Sequence, residues 1–178
     1  MSVPVLVKRL TVVTALATAS AGAALFATPA YADTVTVNYS CEVPLSGTQI
    51  GDIDVTITAP ATASVGDTVD ITVTTGPTPF VTPIDLPAGS VTATGETTVS
   101  GAQTGTISVT GPANTDPVPA GTAVTMPPMA GQLTLTAAGQ VDLTPGSSTA
   151  VATIDLGTFS VPCTPTSPPG VAASIQVS

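Results

Sequence analysis

The chain has 178 residues, of which 43% are hydrophobic and only 7% charged, a balance that favours a folded core over disorder. Its formal net charge is −9, its only basic side chains are Lys8 and Arg9, and it contains no histidine. Beyond Arg9 there is therefore no imidazole base or metal ligand, no Schiff-base or phosphate-binding lysine and no arginine clamp, which excludes most catalytic machinery.

The amino terminus reads as a secretory signal. Met1–Arg9 ends in two positive charges, Leu10–Phe26 is apolar but shorter than the roughly 20 residues of a spanning helix, and Ala30-Tyr31-Ala32 offers the small residues of a cleavage site. Cleavage is expected after residue 32, leaving 33–178 as a single domain. Lys8-Arg9 is a poor match to a twin-arginine signal, and no cysteine follows the cleavage site to carry a lipid. The expected location is secreted or extracellular, free or associated with the cell envelope, with no membrane insertion after cleavage. All 11 acidic residues lie beyond the signal, so no salt bridge between side chains can form there. Such a chain repels phosphates and anionic headgroups, and nucleic acid is excluded as a partner.

Strands are expected in sequence. In Thr34–Val43 the residues Val35, Val37, Tyr39, Cys41 and Val43 share one parity and polar residues the other, the period-two pattern of a strand with one buried face. Ile53, Val55 and Ile57 repeat it, as do Val69, Ile71 and Val73. Shorter alternations follow at Val91–Val99, interrupted by Gly95, at Ile107 and Val109, at Leu133, Leu135 and Ala137, and at Val141 and Leu143. Ile154 and Leu156 have one parity and Phe159, Val161 and Cys163 the other, so a bulge or kink is expected at Gly157. Val171, Ala173, Ile175 and Val177 predict a terminal strand.

No segment has a helical stripe, and β-branched Thr and Val abound. Eight or nine short strands punctuated by Gly and Pro predict an all-β fold, an immunoglobulin-like antiparallel β-sandwich. Without tryptophan, the core must be built from aliphatic side chains. Cys41 and Cys163 face the core near opposite ends of an exported chain, which favours a disulfide over two buried thiols or a two-thiol metal site.

Two stretches, Gly76–Gly89 and Gly111–Gly131, are too rich in proline for central strands and are expected to be loops. Phe80, Val81, Met126 and Met129 lie in them, either as an apolar contact patch or folded back as core plugs, the second being favoured because few other large residues can fill the interior.

Chemistry would have to come from carboxylates and hydroxyls. Asp52 and Asp54 share an exposed strand face, and no Gly-x-Ser-x-Gly elbow or Asp-Thr-Gly element occurs, so no catalytic residue is assigned and the chain is read as a non-enzyme. Asp52, Asp54, Asp67 and Asp70 are weak candidates for calcium, yet their spacing fits no EF-hand, and a solvated acidic face explains them better. No cofactor is expected. Asn38-Tyr39-Ser40 matches a glycosylation sequon, within an expected strand.

The run Tyr39-Ser40-Cys41-Glu42-Val43-Pro44-Leu45, the stretch Pro60–Val73 with Val65-Gly66-Asp67, and Val161-Pro162-Cys163 resemble secreted actinobacterial β-sandwich proteins of unknown function. The resemblance spans most of the expected mature chain. It implies export, a sandwich and one disulfide joining an early and a late strand, and it supplies no catalytic residue. The expected function is that of a secreted or envelope-associated, non-catalytic protein acting by surface contact, with a cell-envelope component or another secreted protein as partner. A calcium-dependent extracellular adhesive module is the alternative, and a carboxylate-based extracellular hydrolase comes third.

Overall fold

The computed structural model describes residues 30–44 and 46–178. The expected signal peptide, 1–32, lies outside them except for its last three residues, whose backbone begins the first strand. Ten strands follow one another: β1 (Ala30–Val43), β2 (Gly47–Pro60), β3 (Thr62–Ala63), β4 (Thr68–Thr75), β5 (Val91–Gly101), β6 (Gly105–Thr110), β7 (Met129–Thr134), β8 (Gly139–Ile154), β9 (Gly157–Pro165) and β10 (Ala173–Val177). The fold is all-β, and among the described residues no helix is long and apolar enough to cross a membrane.

The strands form one continuous sheet that returns on itself. β1 and β2 make a long hairpin from Ala30↔Pro60 to Val43↔Gly47. β2 then pairs with β4, β4 with β7, β7 with β6, β6 with β5, β5 with β8 and β8 with β9, all antiparallel. β9 pairs back onto β1 at Tyr39–Cys41, closing a ring of eight strands. Closure pairs each of those strands on both sides over at least part of its length. β10 lies antiparallel beside the first part of β8, and β3 adds to β10 in parallel, which makes the sheet mixed. Two joints in the ring are narrow: β6 meets β7 at the single pair Thr110↔Ala130, and β1 meets β9 over three pairs.

Period-two alternation produces the core. Val37, Tyr39 and Cys41 of β1, Ile53, Val55 and Ile57 of β2, and Ile71 and Val73 of β4 are buried, while their neighbours face outward. Ala173, Ile175 and Val177 of β10 close the base of the core, whereas Val171, expected in the same strand, precedes it and is exposed.

Cys41 and Cys163 are bonded and are direct partners in the β1–β9 ladder, their Cα atoms 4.1 Å apart. The early and late strands are thus joined side by side, and the bridge fastens the narrow joint where the ring closes.

Four local features differ from the sequence reading. Gly157 is no bulge: Ile154 pairs with Gly157 across a two-residue hairpin at Asp155 and Leu156, and the chain reversal changes the parity. Gly95 does not interrupt β5, which runs unbroken past it. The second proline-rich stretch overlaps β7, because Met129–Gly131 pair with Ile71–Val73. β8 runs far beyond the expected Val141 and Leu143 because a bulge hides its continuation. Gly95 pairs with Ser148 but Thr97 with Pro145, so β8 carries one extra residue there. Val141, Leu143 and Pro145 are buried before the bulge, and the inward positions pass to Ser148, Ala150 and Ala152 after it. Pro145 sits at the irregularity, where a missing N–H is tolerated. Gly146 is required beside it, since a Cβ there would lie 2.8 Å from the Glu96 carbonyl oxygen.

Neutral donors take the place of cations on the outer face. Thr36 Oγ1 donates to Asp54 Oδ1 at 2.6 Å and Asn38 Nδ2 to Asp52 Oδ1 at 2.7 Å, each pair directly opposed across the β1–β2 ladder. Gln132 Nε2 donates to Asp70 across β4–β7, and Ser174 Oγ to Asp142 across β8–β10. Opposed polar pairs of this kind stabilise a ladder by about 0.2–1 kcal/mol each.

Candidate functional site: an apolar pocket at one end of the ring

Antiparallel pairing brings four connections to one end of the ring: the β1–β2, β4–β5, β6–β7 and β8–β9 links. Two are short hairpin turns. The other two are the proline-rich segments, and they run side by side. Leu86 and Val118 exchange both backbone hydrogen bonds, at 2.9 and 2.8 Å, and Thr82 and Val81 lie opposite Thr122 and Ala123. Proline, with no N–H and a fixed φ, leaves these segments unable to extend the sheet, so they pair only at intervals. Buried Asn114 secures them: its Oδ1 accepts from Val91 N at 2.7 Å while its Nδ2 donates to the carbonyls of Pro87 and Asp116.

The loops seat on β2 at Gly51. A Cβ at that position would stand 2.5 Å from Pro79 Cγ and 3.3 Å from Phe80 Cε1, so the absence of a side chain lets the loop lie against the strand.

Between these loops and the strand ends lies an open cavity of about 170 Å³. Its walls come from both halves of the ring: Val43 and Ile53 on one side, Val91, Ala93 and Ala150 on the other, with Phe159 and Val161 of β9 beside the disulfide. Phe80, Val81, Met126 and Met129 all line it. Met129 is 4% exposed and forms part of the core, Phe80 and Met126 pack against the core, and Val81 stands at 50% exposure. The two sequence readings of these residues, contact patch and core plug, therefore describe opposite sides of the same wall. An apolar concavity at the mouth of a closed sheet is a common form of small-molecule site.

The wall has few polar side chains, Thr75, Thr78, Thr82, Ser148 and Thr149, and two of them are engaged by backbone carbonyls. Thr78 Oγ1 donates to the carbonyls of Phe80 and Val124, and Thr82 Oγ1 to that of Ile84. Thr75 differs: its Oγ1 is buried and has no hydrogen-bond partner among the described residues. No acidic side chain lines the cavity, and residues 10–178 contain no basic one.

The carboxylates proposed from sequence lie elsewhere. Asp52 and Asp54 occupy the outer face of β2, Asp67 caps the turn before β4 by accepting from Ser64 N at 2.8 Å, and Asp70 faces outward on β4. Among the described residues no three His, Cys, Asp or Glu side chains stand close enough together to hold a metal ion. Asn38 of the sequon is held by Asp52 and by Thr166, whose Oγ1 donates to Asn38 Oδ1 at 2.7 Å. Among the described residues, two groups have displaced acidities. Burial pushes the Tyr39 phenol up to about 12, and hydrogen bonds from Ser174 and Gln140 lower the Asp142 carboxyl.

Sequence reasoning found the loop residues of the pocket but not Thr75, Ile53 or Ala150 as wall residues, because alternation marks a side chain as inward without saying at which end of the interior it stands. No family model, curated protein or solved structure matches this chain.

Proposed function

We propose that this is a secreted or envelope-associated, non-catalytic binding protein that holds an apolar small molecule at the loop end of its strand ring. The observation that carries the reading is the cavity of about 170 Å³, walled by aliphatic, aromatic and methionine side chains under two paired proline-rich loops. A cavity of similar size, roughly 150 Å³ and apolar, is known to take up benzene. The disulfide suits an oxidising compartment, and the leader expected over 1–32 accounts for how the chain reaches it. We read the ring as an immunoglobulin-like sandwich, with β7-β4-β2-β1 facing β6-β5-β8-β9 and the two narrow joints as its sides. In the sandwich the loops at one end carry the binding function on a rigid frame. Surface contact with a cell-envelope component would place the apolar mouth, with exposed Val81, against that partner.

Toluene titrated into the oxidised protein tests this reading. Ligand that binds only the folded state raises the melting temperature saturably. No rise up to the solubility limit of toluene contradicts it.

A further inference from the structure

We infer that the ligand is an unbranched aliphatic chain of roughly eight carbons with a polar end that is not anionic, bound tail-first so that its last carbons displace the Met129 thioether and enter a second cavity. The inference rests on the binding reading above and adds the chemical class of the ligand.

Three observations lead to it. First, the cavity at the loop end has a neighbour. A second cavity, of about 40 Å³, is walled by Val55, Val73 and Val109 and shares Ile53, Met129 and Ser148 with the first. An apolar cavity of roughly 150 Å³ holds a six-carbon ring, so the outer cavity takes about six carbons and the inner one adds one or two.

Secondly, a movable side chain stands between the two. Gly95 and Ser148 are directly opposed across the β5–β8 ladder, and their small size leaves room on that face of the interior. A Cβ at Gly95 would lie 3.7 Å from both Sδ and Cε of Met129, so the thioether occupies the space over that glycine. Methionine is unbranched, with three rotatable bonds, and adapts to what packs against it. A straight chain, no wider than the thioether itself, can take its path, and a ring cannot.

Thirdly, an anionic end finds no counterion. Residues 10–178 contain no Lys, Arg or His, and the polar side chains of the outer wall are all hydroxyls, which carry no charge. Exposed Glu42, Asp85, Asp116 and Asp155 stand on the strand end, loops and turn at the same end of the ring. A carboxylate or phosphate at the mouth meets their repulsion, and inside it would lose its hydration without compensation. An uncharged polar end keeps its water at the open mouth, so the ligand needs no hydrogen bond to the wall.

Hexan-1-ol, octan-1-ol and octanoate make the test, with toluene as the ring probe. They are titrated by calorimetry at pH 7 into the full chain, expressed with its own leader and purified in its oxidised form, and into the Val73→Ile and Gly95→Ala variants. Val73 and Gly95 line the inner cavity and not the outer one, so each variant adds one carbon to the inner space alone. Melting temperatures without ligand verify folding, and the second variant serves if the first is unstable. Each buried methylene is worth about fourfold in affinity, so octan-1-ol should bind the unaltered chain about tenfold more tightly than hexan-1-ol. In the variants that advantage should fall to about twofold or less, with toluene affinity unchanged, and octanoate should bind the unaltered chain at least about tenfold more weakly than octan-1-ol. If toluene binds but octan-1-ol has no advantage over hexan-1-ol, or keeps its full advantage in both variants, or octanoate binds as tightly as octan-1-ol, the inference is overturned while the binding reading stands. If neither toluene nor the alcohols bind, the binding reading itself has failed and the inference falls with it.

Discussion

Tyr39 Oη on β1 donates a hydrogen bond of 2.9 Å to the carbonyl oxygen of Gly146, at the bulge of β8, linking two strands that are not ladder partners and are otherwise connected through β9. Replacing Tyr39 by phenylalanine leaves that carbonyl unpaired and is expected to cost about 1–3 kcal/mol in denaturant unfolding. Burial of the phenol also predicts the behaviour at high pH. Tyr39 is raised to about 12 by burial, so the folded state holds its proton when the unfolded chain, near 10, has lost it. Its contribution is fully present below pH 10 and is lost as pH rises towards 12. The only other tyrosine, Tyr31, lies in the expected leader, so ultraviolet titration of the processed protein reads Tyr39 alone.

The disulfide is the covalent support of the same joint. With Cys41 and Cys163 separated by 122 positions, its removal in a Cys41→Ala, Cys163→Ala variant is expected to cost roughly 2–5 kcal/mol. Hydrogen exchange at Tyr39–Cys41 should rise most, because that ladder has only three pairs.

Asp142 provides the acid counterpart. Its carboxyl is lowered first by the Ser174 hydroxyl and then by Gln140. A carboxyl depressed in the folded state adds stability that is present above the unfolded value and is lost as pH falls through the folded one. Ser174→Ala should therefore move the Asp142 titration, followed by carboxyl carbon shifts, upward. Calcium, by contrast, should leave the melting temperature unchanged, since Asp52, Asp54, Asp67 and Asp70 form no cluster and are each held by a neutral donor.

Gly51 tests the seating of the loops. An alanine methyl would meet Pro79 at 2.5 Å, so Gly51→Ala is expected to displace the proline-rich segment and weaken toluene binding several-fold. Gly105→Ala has open space and should leave binding as it was.

How much of this was legible in the sequence follows from what alternation encodes. Val35–Val43 and Ile53–Ile57 alternate without a break, and their strands and buried faces are where the pattern places them. Alternation failed where one extra residue at Pro145-Gly146 reversed the parity of β8, and where a reversal at Asp155-Leu156 looked the same as a bulge. The pairing of Cys41 with Cys163 was readable from compartment and count, but their place as neighbours in one ladder was not, since it depends on how the ring closes. The pocket was half visible: Phe80, Val81, Met126 and Met129 announced themselves as large apolar residues in proline-rich loops. Thr75 did not, because one threonine among many carries no local signal.

The apolar pocket as a binding site is the central claim, and its methionines report on it directly. Besides Met1, in the expected leader, the chain contains only Met126 and Met129, and both line the cavity. Methyl-13C-methionine labelling of the processed protein should give two resonances, assigned by Met126→Leu. Both should shift saturably with toluene, while the methyl group of Ile175 at the opposite end, labelled separately, stays in place. Methionine resonances unmoved at saturating toluene would contradict the account.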